Sequence, residues 1–241
     1  MALRAVTLDA VGTLLAVAEP IGTTYARSAA RHGIRVAAAE LDGAFRKAFA
    51  AAPPLAFPGA SSARLADHER AWWYAIVHRA FGSAARTPEF DACFAELYAH
   101  YARPQAWRLY PDVLATLTRL RGEGLRLAVV SNFDTRLVGV LAGLGLTPWL
   151  DAVVPSTQAG AAKPDPGIFR RALAALGVAE AQALHAGDGL IEDVEGARAA
   201  GLRAVLIDRT GRQAGPLLGV PTIATLAELP PLVAESGRGV G

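Results

Sequence analysis

Residues 5–14 read AVTLDAVGTL, a short apolar run that ends at Asp9 and is followed by Gly12. A short apolar run closed by turn residues predicts a buried β-strand. Asp9 would then lie at the carboxyl end of that strand, on a turn that Gly12 keeps pliable. Because ligands of open α/β sheets bind outside the carboxyl ends of the strands, Asp9 is our candidate nucleophile.

The chain beyond Tyr110 alternates between predicted helices and short apolar strands. The expected strands are at 127–130, 152–154, 183–186, 204–207 and 222–224. The expected helices are at 112–122, 135–144, 166–176, 190–200 and 225–235, with Asp165 as a cap and Pro166 as the first residue of the third. This alternation indicates an α/β fold, a Rossmann-like parallel sheet with helices on both faces.

The segment between the first strand and this core has helical patterns only, at 21–33, 38–51, 63–82 and 88–102. We therefore predict a core domain made of residues 1–14 and 109–235. Residues 15–108 would form an inserted all-helical cap domain, and residues 236–241 a disordered tail. A helical insertion directly after the nucleophile loop is expected to cover the site as a lid.

Composition narrows the classes of partner and location. Among 241 residues the net charge is +2 and the basic residues are scattered, which argues against a nucleic-acid partner. No apolar run approaches the ~20 residues of a membrane span, and the first residues lack a signal-peptide pattern. Cys93 is the only cysteine, so an intrachain disulfide is impossible and we expect a cytoplasmic protein. The sequence does not determine the oligomeric state.

Polar side chains cluster at the predicted carboxyl edge of the sheet. They are Asp9 and Thr13 after the first strand, Ser131 and Asn132 after the second, Lys163 before the helix at 166, and Asp188 with Asp193 after strand 183–186. Each alone is compatible with a turn, a helix cap or a solvated side chain, but their common position favours an active site. Three nearby carboxylates repel one another, so a cation or a shared proton must relieve them. Mg²⁺, a hard ion with oxygen ligands, fits best.

These residue types support nucleophilic catalysis on a small-molecule substrate. Asp9 would attack as a carboxylate and form a covalent intermediate. Lys163 and Mg²⁺ would stabilise the charge on the transferred group. The hydroxyl of Ser131 or Thr13, with loop amides, could bind the oxygens of a tetrahedral oxyanion.

The chain resembles the haloacid dehalogenase-like (HAD) hydrolases. Their four motifs occur in order as DAVGTL at 9–14, VSN at 130–132, KP at 163–164, and GD at 187–188 followed by Asp193. The helical insertion resembles the cap that the family places after its first motif. Residues 24–34 and the pair Trp72-Trp73 resemble the branch called haloacid dehalogenase-like hydrolase domain-containing protein three.

The resemblance implies roles for the clustered residues. Asp9 would be nucleophile and metal ligand, while Asp188 and the main-chain carbonyl of Val11 would also bind Mg²⁺. Asp193 would be a further acidic ligand or would support the ligands from behind. Ser131 would bind the phosphoryl group, with Lys163 orienting and neutralising it.

Val11 is the departure from the family pattern. Phosphatases of this family carry aspartate at that position, where it protonates the leaving group and activates the hydrolytic water. Valine can do neither, and general acid–base catalysis contributes roughly 10²–10⁴-fold in rate. The expected metal site survives the change, because its contribution from position 11 is a backbone oxygen.

The sequence therefore predicts a Mg²⁺-dependent, phosphatase-type hydrolase of a small phosphorylated metabolite, either slow or restricted to good leaving groups. One alternative is a metal-free 2-haloacid dehalogenase, since a halide needs no proton, although Asp188 and Asp193 would repel a carboxylate substrate. Another is a non-catalytic binding protein that keeps the cleft. A carbon–phosphorus hydrolase would need a cap lysine, and Lys47, the only one, is more typical of a solvated helix face.

Two further features have conventional interpretations. The run Trp72–Tyr74 favours cap core or cap–core contact over a substrate-binding role. His185, at the end of a predicted strand, is expected to be a buried histidine with satisfied hydrogen bonds.

Overall fold

A computed structural model of the protein describes residues 2–211 and 219–238, and it contains a six-stranded parallel sheet ordered β5-β4-β1-β6-β7-β8. The strands are β1 Ala5–Leu8, β4 Arg126–Ser131, β5 Ala152–Pro155, β6 Ala183–Gly187, β7 Arg203–Ile207 and β8 Thr222–Ile223. The first strand is central, and Leu8 is in register with Val129 of β4 and Ala186 of β6. The predicted α/β parallel sheet is confirmed.

Alternate side chains of β1 supply two separate cores, because successive residues of a strand point to opposite faces. Val6 and Leu8 pack with α5 Val113–Gly122, α6 Arg136–Gly143 and the buried side chains of α10 Leu229–Arg238. Ala5 packs on the other face with α8 Pro166–Leu176 and α9 Gly196–Ala199. Helices on both faces leave the carboxyl ends of the strands as the open edge of the sheet.

Four helices lie between the first strand and the rest of the sheet. They are α1 Ile21–Arg31, α2 Ala38–Ala50, α3 Ser62–Phe81 and α4 Phe90–His100. Their apolar side chains form a third core, which includes Tyr25, Phe45 and the buried Cys93. We keep the name cap for residues 15–108, and the domain boundaries at 14–15 and 108–109 stay a prediction.

Both crossings between cap and sheet pass through a short antiparallel ribbon that the sequence analysis missed. β2 Leu15–Val17 pairs with β3 Trp107–Leu109, so that Leu15 lies opposite Leu109. Three residues are too few to show an alternating pattern. The ribbon holds the two ends of the cap together, and β2 follows directly on the loop that carries Asp9.

Smaller differences from the predicted elements concern helices. The expected helix at 190–200 is a π-helical turn, Leu190–Glu195, followed by α9. A short helix, α7 Ser156–Ala159, was not predicted. The last helix runs to Arg238, three residues into the predicted tail, and residues 239–241 lie outside the described part of the chain. Within the described residues, none of the helices combines the length and the apolar character needed to cross a membrane.

Candidate active site

Three adjacent strands bring the predicted site residues together. β1, β4 and β6 end at Leu8, Ser131 and Gly187, so the loops that follow them leave the sheet side by side. The Asp9 amide extends the pairing and donates to the carbonyl of Ala186, at 3.0 Å. Asp9 is therefore fixed directly beside the loop that carries Asp188 and Asp193.

Lys163 bridges two of the carboxylates. Its Nζ donates to Asp9 Oδ1 at 2.6 Å and to Asp193 Oδ1 at 2.5 Å, and all three side chains are at most 8% exposed. Asn132 holds the lysine loop through both main-chain groups, because Lys163 N donates to its Oδ1 at 2.7 Å and its Nδ2 donates to Lys163 O at 2.9 Å. Asn132 thus lines the cleft with its amide oxygen and nitrogen both hydrogen-bonded to Lys163, which it positions.

Asp193 uses both of its oxygens within the protein. Besides Lys163, Oδ1 contacts His185 Nε2 at 3.0 Å, and Oδ2 accepts from the Gly189 amide at 2.8 Å. Although burial opposes ionisation, Lys163 and His185 hold the pKa of Asp193 well below its usual range. Of the two roles predicted for Asp193, the geometry favours support of Lys163 over direct metal ligation.

His185 is the buried, satisfied histidine that the sequence predicted. A carboxylate can only accept, so Nε2 carries the proton in the contact with Asp193. In the neutral ring Nδ1 then accepts from the Thr7 hydroxyl, at 2.8 Å. The hydrogen bonds run from Thr7 and His185, which do not line the cleft, to Asp193 and Lys163, which do.

Two glycines allow the acidic loops to approach so closely. Gly12 has φ +96°, and a Cβ there would lie 2.2 Å from Asp188 Oδ2. A Cβ on Gly187 would lie 2.2 Å from Asp193 Cγ. Any side chain at either position would displace a carboxylate.

The carboxyl groups of Asp9, Asp188 and Asp193 can each place one oxygen within 4.8 Å of the others. With all three ionised, Lys163 leaves a net charge of two negative units. Partial burial and the charges of Asp9 and Asp193 raise the pKa of Asp188 to about 7. Such crowding of oxygen ligands fits a hard divalent cation, for which Asp9 and Asp188 are the best-placed ligands.

The carboxylates open into a cleft of about 690 Å³ between sheet and cap. Val11, Ser131 and Lys163 line its core side, and the side chain of Val11 is 38% exposed. Thr13 is fully buried and not among the lining residues, so its hydroxyl is not brought to the cleft as predicted. The cap side, here called the cap wall, has as its largest side chains Ile21, Phe45, Phe49, Trp72, Trp73 and Trp107.

Comparison with known proteins identifies the family of this chain. Residues 3–201 match a protein family described as haloacid dehalogenase-like hydrolase. The chain belongs to this family. This HAD hydrolase is also 40% identical over 208 residues to haloacid dehalogenase-like hydrolase domain-containing protein 3 of Bos taurus, a match that covers 85% of the chain and 82% of that protein. The predicted family and branch are confirmed.

Solved structures similar to this HAD hydrolase include a phosphatase and a dehalogenase. A HAD phosphatase from Thermococcus onnurineus is 27% identical, with a TM-score of 0.69 over 99% of the chain and 100% of that chain. A structure described as a dehalogenase is 26% identical, with a TM-score of 0.67 over 95% of the chain and 96% of that chain. The choice between the reactions must come from the site itself.

The HAD hydrolase also has a polar contact between cap and core that the sequence analysis missed. Glu69 of α3 is buried and accepts from Thr135 N at 3.0 Å, Thr135 Oγ1 at 2.6 Å and Thr157 Oγ1 at 2.5 Å. Trp73 Nε1 donates to the buried Asp134 at 2.6 Å, which is the predicted cap–core contact, but Trp72 and Trp73 also line the cleft, so the contact does not exclude a binding role. Glu69 lies between His68 and Arg70 in a polar stretch, so no pattern marked it.

Arg136 completes this contact, here called the latch. It pairs with Asp134 at 2.6 Å, donates to the carbonyl of Tyr98 in α4 at 2.7 Å, and lies 3.8 Å from the centre of the Tyr98 ring. The latch therefore ties α3 and α4 of the cap to the loop after β4. That loop begins with Asn132 and directly follows Ser131, the last residue of β4.

Proposed function

We propose that the protein is a Mg²⁺-dependent phosphatase-type hydrolase that uses Asp9 as its nucleophile. The observation that carries the proposal is the buried Lys163 bridge between Asp9 and Asp193, with Asp188 beside it. Lys163 occupies Oδ1 of Asp9, so Oδ2 is the oxygen proposed to attack. A solved HAD phosphatase of similar fold supports the same reaction type.

The reaction would proceed in two displacements. The Asp9 carboxylate attacks the phosphorus of a phosphate monoester, a P–O bond to the leaving group breaks, and the leaving group departs with the electron pair. Water then attacks the aspartyl-phosphate, which releases inorganic phosphate and restores the carboxylate. Lys163 neutralises charge beside Asp9, and the Ser131 hydroxyl would donate to a phosphoryl oxygen.

Asp9 and Asp188 would hold the metal ion, with the Val11 carbonyl retained as a predicted third ligand. When bound, Mg²⁺ would supply positive charge that stabilises the transferring phosphoryl group. The net negative charge of the four side chains explains why such an ion is needed, since an anionic substrate would otherwise be repelled.

Dehalogenation is the second candidate, and Val11 favours it because a halide leaves without a proton. The charge distribution opposes it. Lys163, the only lysine near the cleft, is already shared between Asp9 and Asp193, and Asp188 would face the substrate carboxylate. We therefore rank a phosphatase above a dehalogenase, and above a binding protein without turnover.

The test is hydrolysis of 4-nitrophenyl phosphate by the purified protein with Mg²⁺, with EDTA, and after Mg²⁺ is restored. We expect activity that EDTA abolishes and Mg²⁺ recovers. Asp9→Asn, which keeps the size of the side chain, should reduce turnover to background. Activity that persists in EDTA or in Asp9→Asn would refute the proposal, and chloride release from L-2-chloropropionate in EDTA would establish the dehalogenase instead.

A further inference from the structure

The surface that the cap wall presents to a ligand is apolar and uncharged. Every ionisable side chain that lines the cleft in the described part of the chain belongs to the core, and the described lining residues of the cap are aliphatic, aromatic or proline. The three indole N–H groups of the wall are also occupied, since Trp72 Nε1 donates to Pro53 O at 3.0 Å, Trp73 Nε1 to Asp134 at 2.6 Å and Trp107 Nε1 to Tyr101 O at 3.1 Å. A charged or strongly polar leaving group would lose hydration here without compensation.

The wall is aromatic where it is most open. Phe49 is 45% exposed, and its ring lies 6.0 Å from Trp73 and 5.9 Å from Trp72, centre to centre. Few large apolar side chains are exposed in the described part of the chain, and two of them, Phe49 and Val11, line this cleft. Aromatic side chains held in this way favour a flat aromatic ligand through stacking or edge contacts.

Val11 restricts the leaving group for a separate, chemical reason. Without a proton donor at position 11, the leaving oxygen must depart as an anion. Phenols have a pKa of about 10, as the tyrosine side chain does, whereas water and simple alcohols lie near ~15.7. A phenolate therefore leaves far more readily than an alkoxide.

From the uncharged aromatic wall and from Val11, we infer that the substrate is an aryl phosphate, a phosphate monoester of an uncharged phenol. The inference rests on the proposed phosphatase function and adds the chemical class of its leaving group. The phosphate would lie at Asp9, Ser131 and Lys163, and the aromatic ring would lie against Phe49 and the two tryptophans.

The experiment compares kcat/KM for three esters in Mg²⁺: phenyl phosphate, 2-phenylethyl phosphate and O-phosphoserine. Phenylethyl phosphate keeps the aromatic body but has an alcohol leaving group, and phosphoserine has charges and no ring. We expect phenyl phosphate to exceed phenylethyl phosphate by at least about 10²-fold, the lower range for general acid catalysis. Phosphoserine should be hydrolysed more slowly still.

Two variants separate the contributions of Val11 and the wall. Val11→Asp should raise turnover of phenylethyl phosphate by about 10²-fold or more, whereas Val11→Asn, of the same size but without an acid, should not. Phe49→Ala should raise KM for phenyl phosphate while inhibition by inorganic phosphate stays constant. Leu114→Ala, which removes an equally exposed apolar side chain outside the cleft, is the control.

The outcomes distinguish the inference from the function on which it rests. Equal kcat/KM for phenyl and phenylethyl phosphate would overturn the inference, because another donor such as Glu192 would then be protonating the leaving group. Preference for phosphoserine would overturn it as well. In both cases Asp9-dependent hydrolysis would leave the proposed function standing, whereas no hydrolysis of any ester would refute both.

Discussion

Replacement of Lys163 by methionine should lower the free energy of unfolding by about 3–5 kcal/mol at pH 7, the usual cost of removing one partner from a buried ion pair. The structure places this lysine at the upper end of that range. Its ammonium satisfies two carboxylates at 2.6 and 2.5 Å, and the three side chains are almost fully buried. The variant would leave Asp9 and Asp193 facing each other with Asp188 nearby.

The loss should depend on pH in a defined direction. Burial already raises the pKa of Asp9 in the wild type, and loss of the Lys163 charge would raise it further and would also raise that of Asp193. The folded variant then binds more protons than the unfolded chain, so its stability increases as the pH falls from 7 towards 5. In the wild type the raised pKa values of Asp188 and Asp9 already supply part of this gain, whereas the stability that the depressed pKa of Asp193 contributes is lost only below about pH 4. The difference between the two proteins should therefore narrow at pH 5.

Urea unfolding followed by circular dichroism, in EDTA at pH 7 and pH 5, measures both effects. Lys47→Met is the matched control, because Lys47 is the only other lysine and is exposed on α2. It should change stability by no more than about 0.5 kcal/mol. A Lys163→Met variant that loses less than about 1 kcal/mol, or whose loss is equal at both pH values, would refute the argument from buried charge.

Three further predictions test other parts of the site. Gly12→Ala should lower the free energy of unfolding by about 1–3 kcal/mol because Gly12 has a positive φ. Calorimetry should also show weakened Mg²⁺ binding, because the new Cβ displaces Asp188, and an unchanged Mg²⁺ affinity would contradict that expectation. Mg²⁺ affinity should rise about tenfold from pH 6 to pH 8 as Asp188, with its pKa of about 7, loses its proton, and Asp188→Asn should abolish that dependence. Glu69→Gln should lower the free energy of unfolding by about 1–3 kcal/mol and speed proteolysis between cap and core. The control is Glu40→Gln on the exposed face of α2, which should have neither effect. Equal behaviour of the two variants would show that the latch contributes little to stability.

The sheet could be predicted because its strands are buried on both faces. Leu127–Val130 is a continuous apolar run, and Gly and Asp residues mark where such runs end. The N-terminus of α8 was predicted equally well: Asp165 Oδ1 accepts a hydrogen bond from Gly167 N at 2.7 Å, and Pro166 begins the helix. These are local signals that a single sequence contains.

The ribbon and the π-helical turn could not be predicted from local signals. The ribbon depends on the pairing of Leu15 with Leu109, residues far apart in the chain. The sequence of residues 190–195 is compatible with an α-helix as well as with the π-helical turn that they form. In both cases the backbone geometry is decided by packing against elements that the local sequence does not describe.

The candidate site was predictable in its members but not in their division of labour. Residue types and motif order placed Asp9, Ser131, Lys163 and Asp188 at one sheet edge, and the structure brings them there. The sequence could not show that both carboxylate oxygens of Asp193 accept hydrogen bonds within the protein, or that the side-chain amide of Asn132 is hydrogen-bonded to the main chain of Lys163. Those facts depend on distances between loops, which residue spacing does not encode.

The latch has a consequence for how this protein could acquire new substrates. Three of its core residues, Asp134, Thr135 and Arg136, are consecutive, and the first of them lies only three residues after Ser131. A change in the cap that moves α3 would therefore also move the loop that directly follows Ser131. Exchange of the whole cap for that of a relative would require Glu69 and Trp73, or equivalents at the same places, to come with it. Recombination of caps is thus constrained, whereas substitution of Phe49, which makes none of the hydrogen bonds of the latch, is the change that we expect to alter the choice of leaving group first.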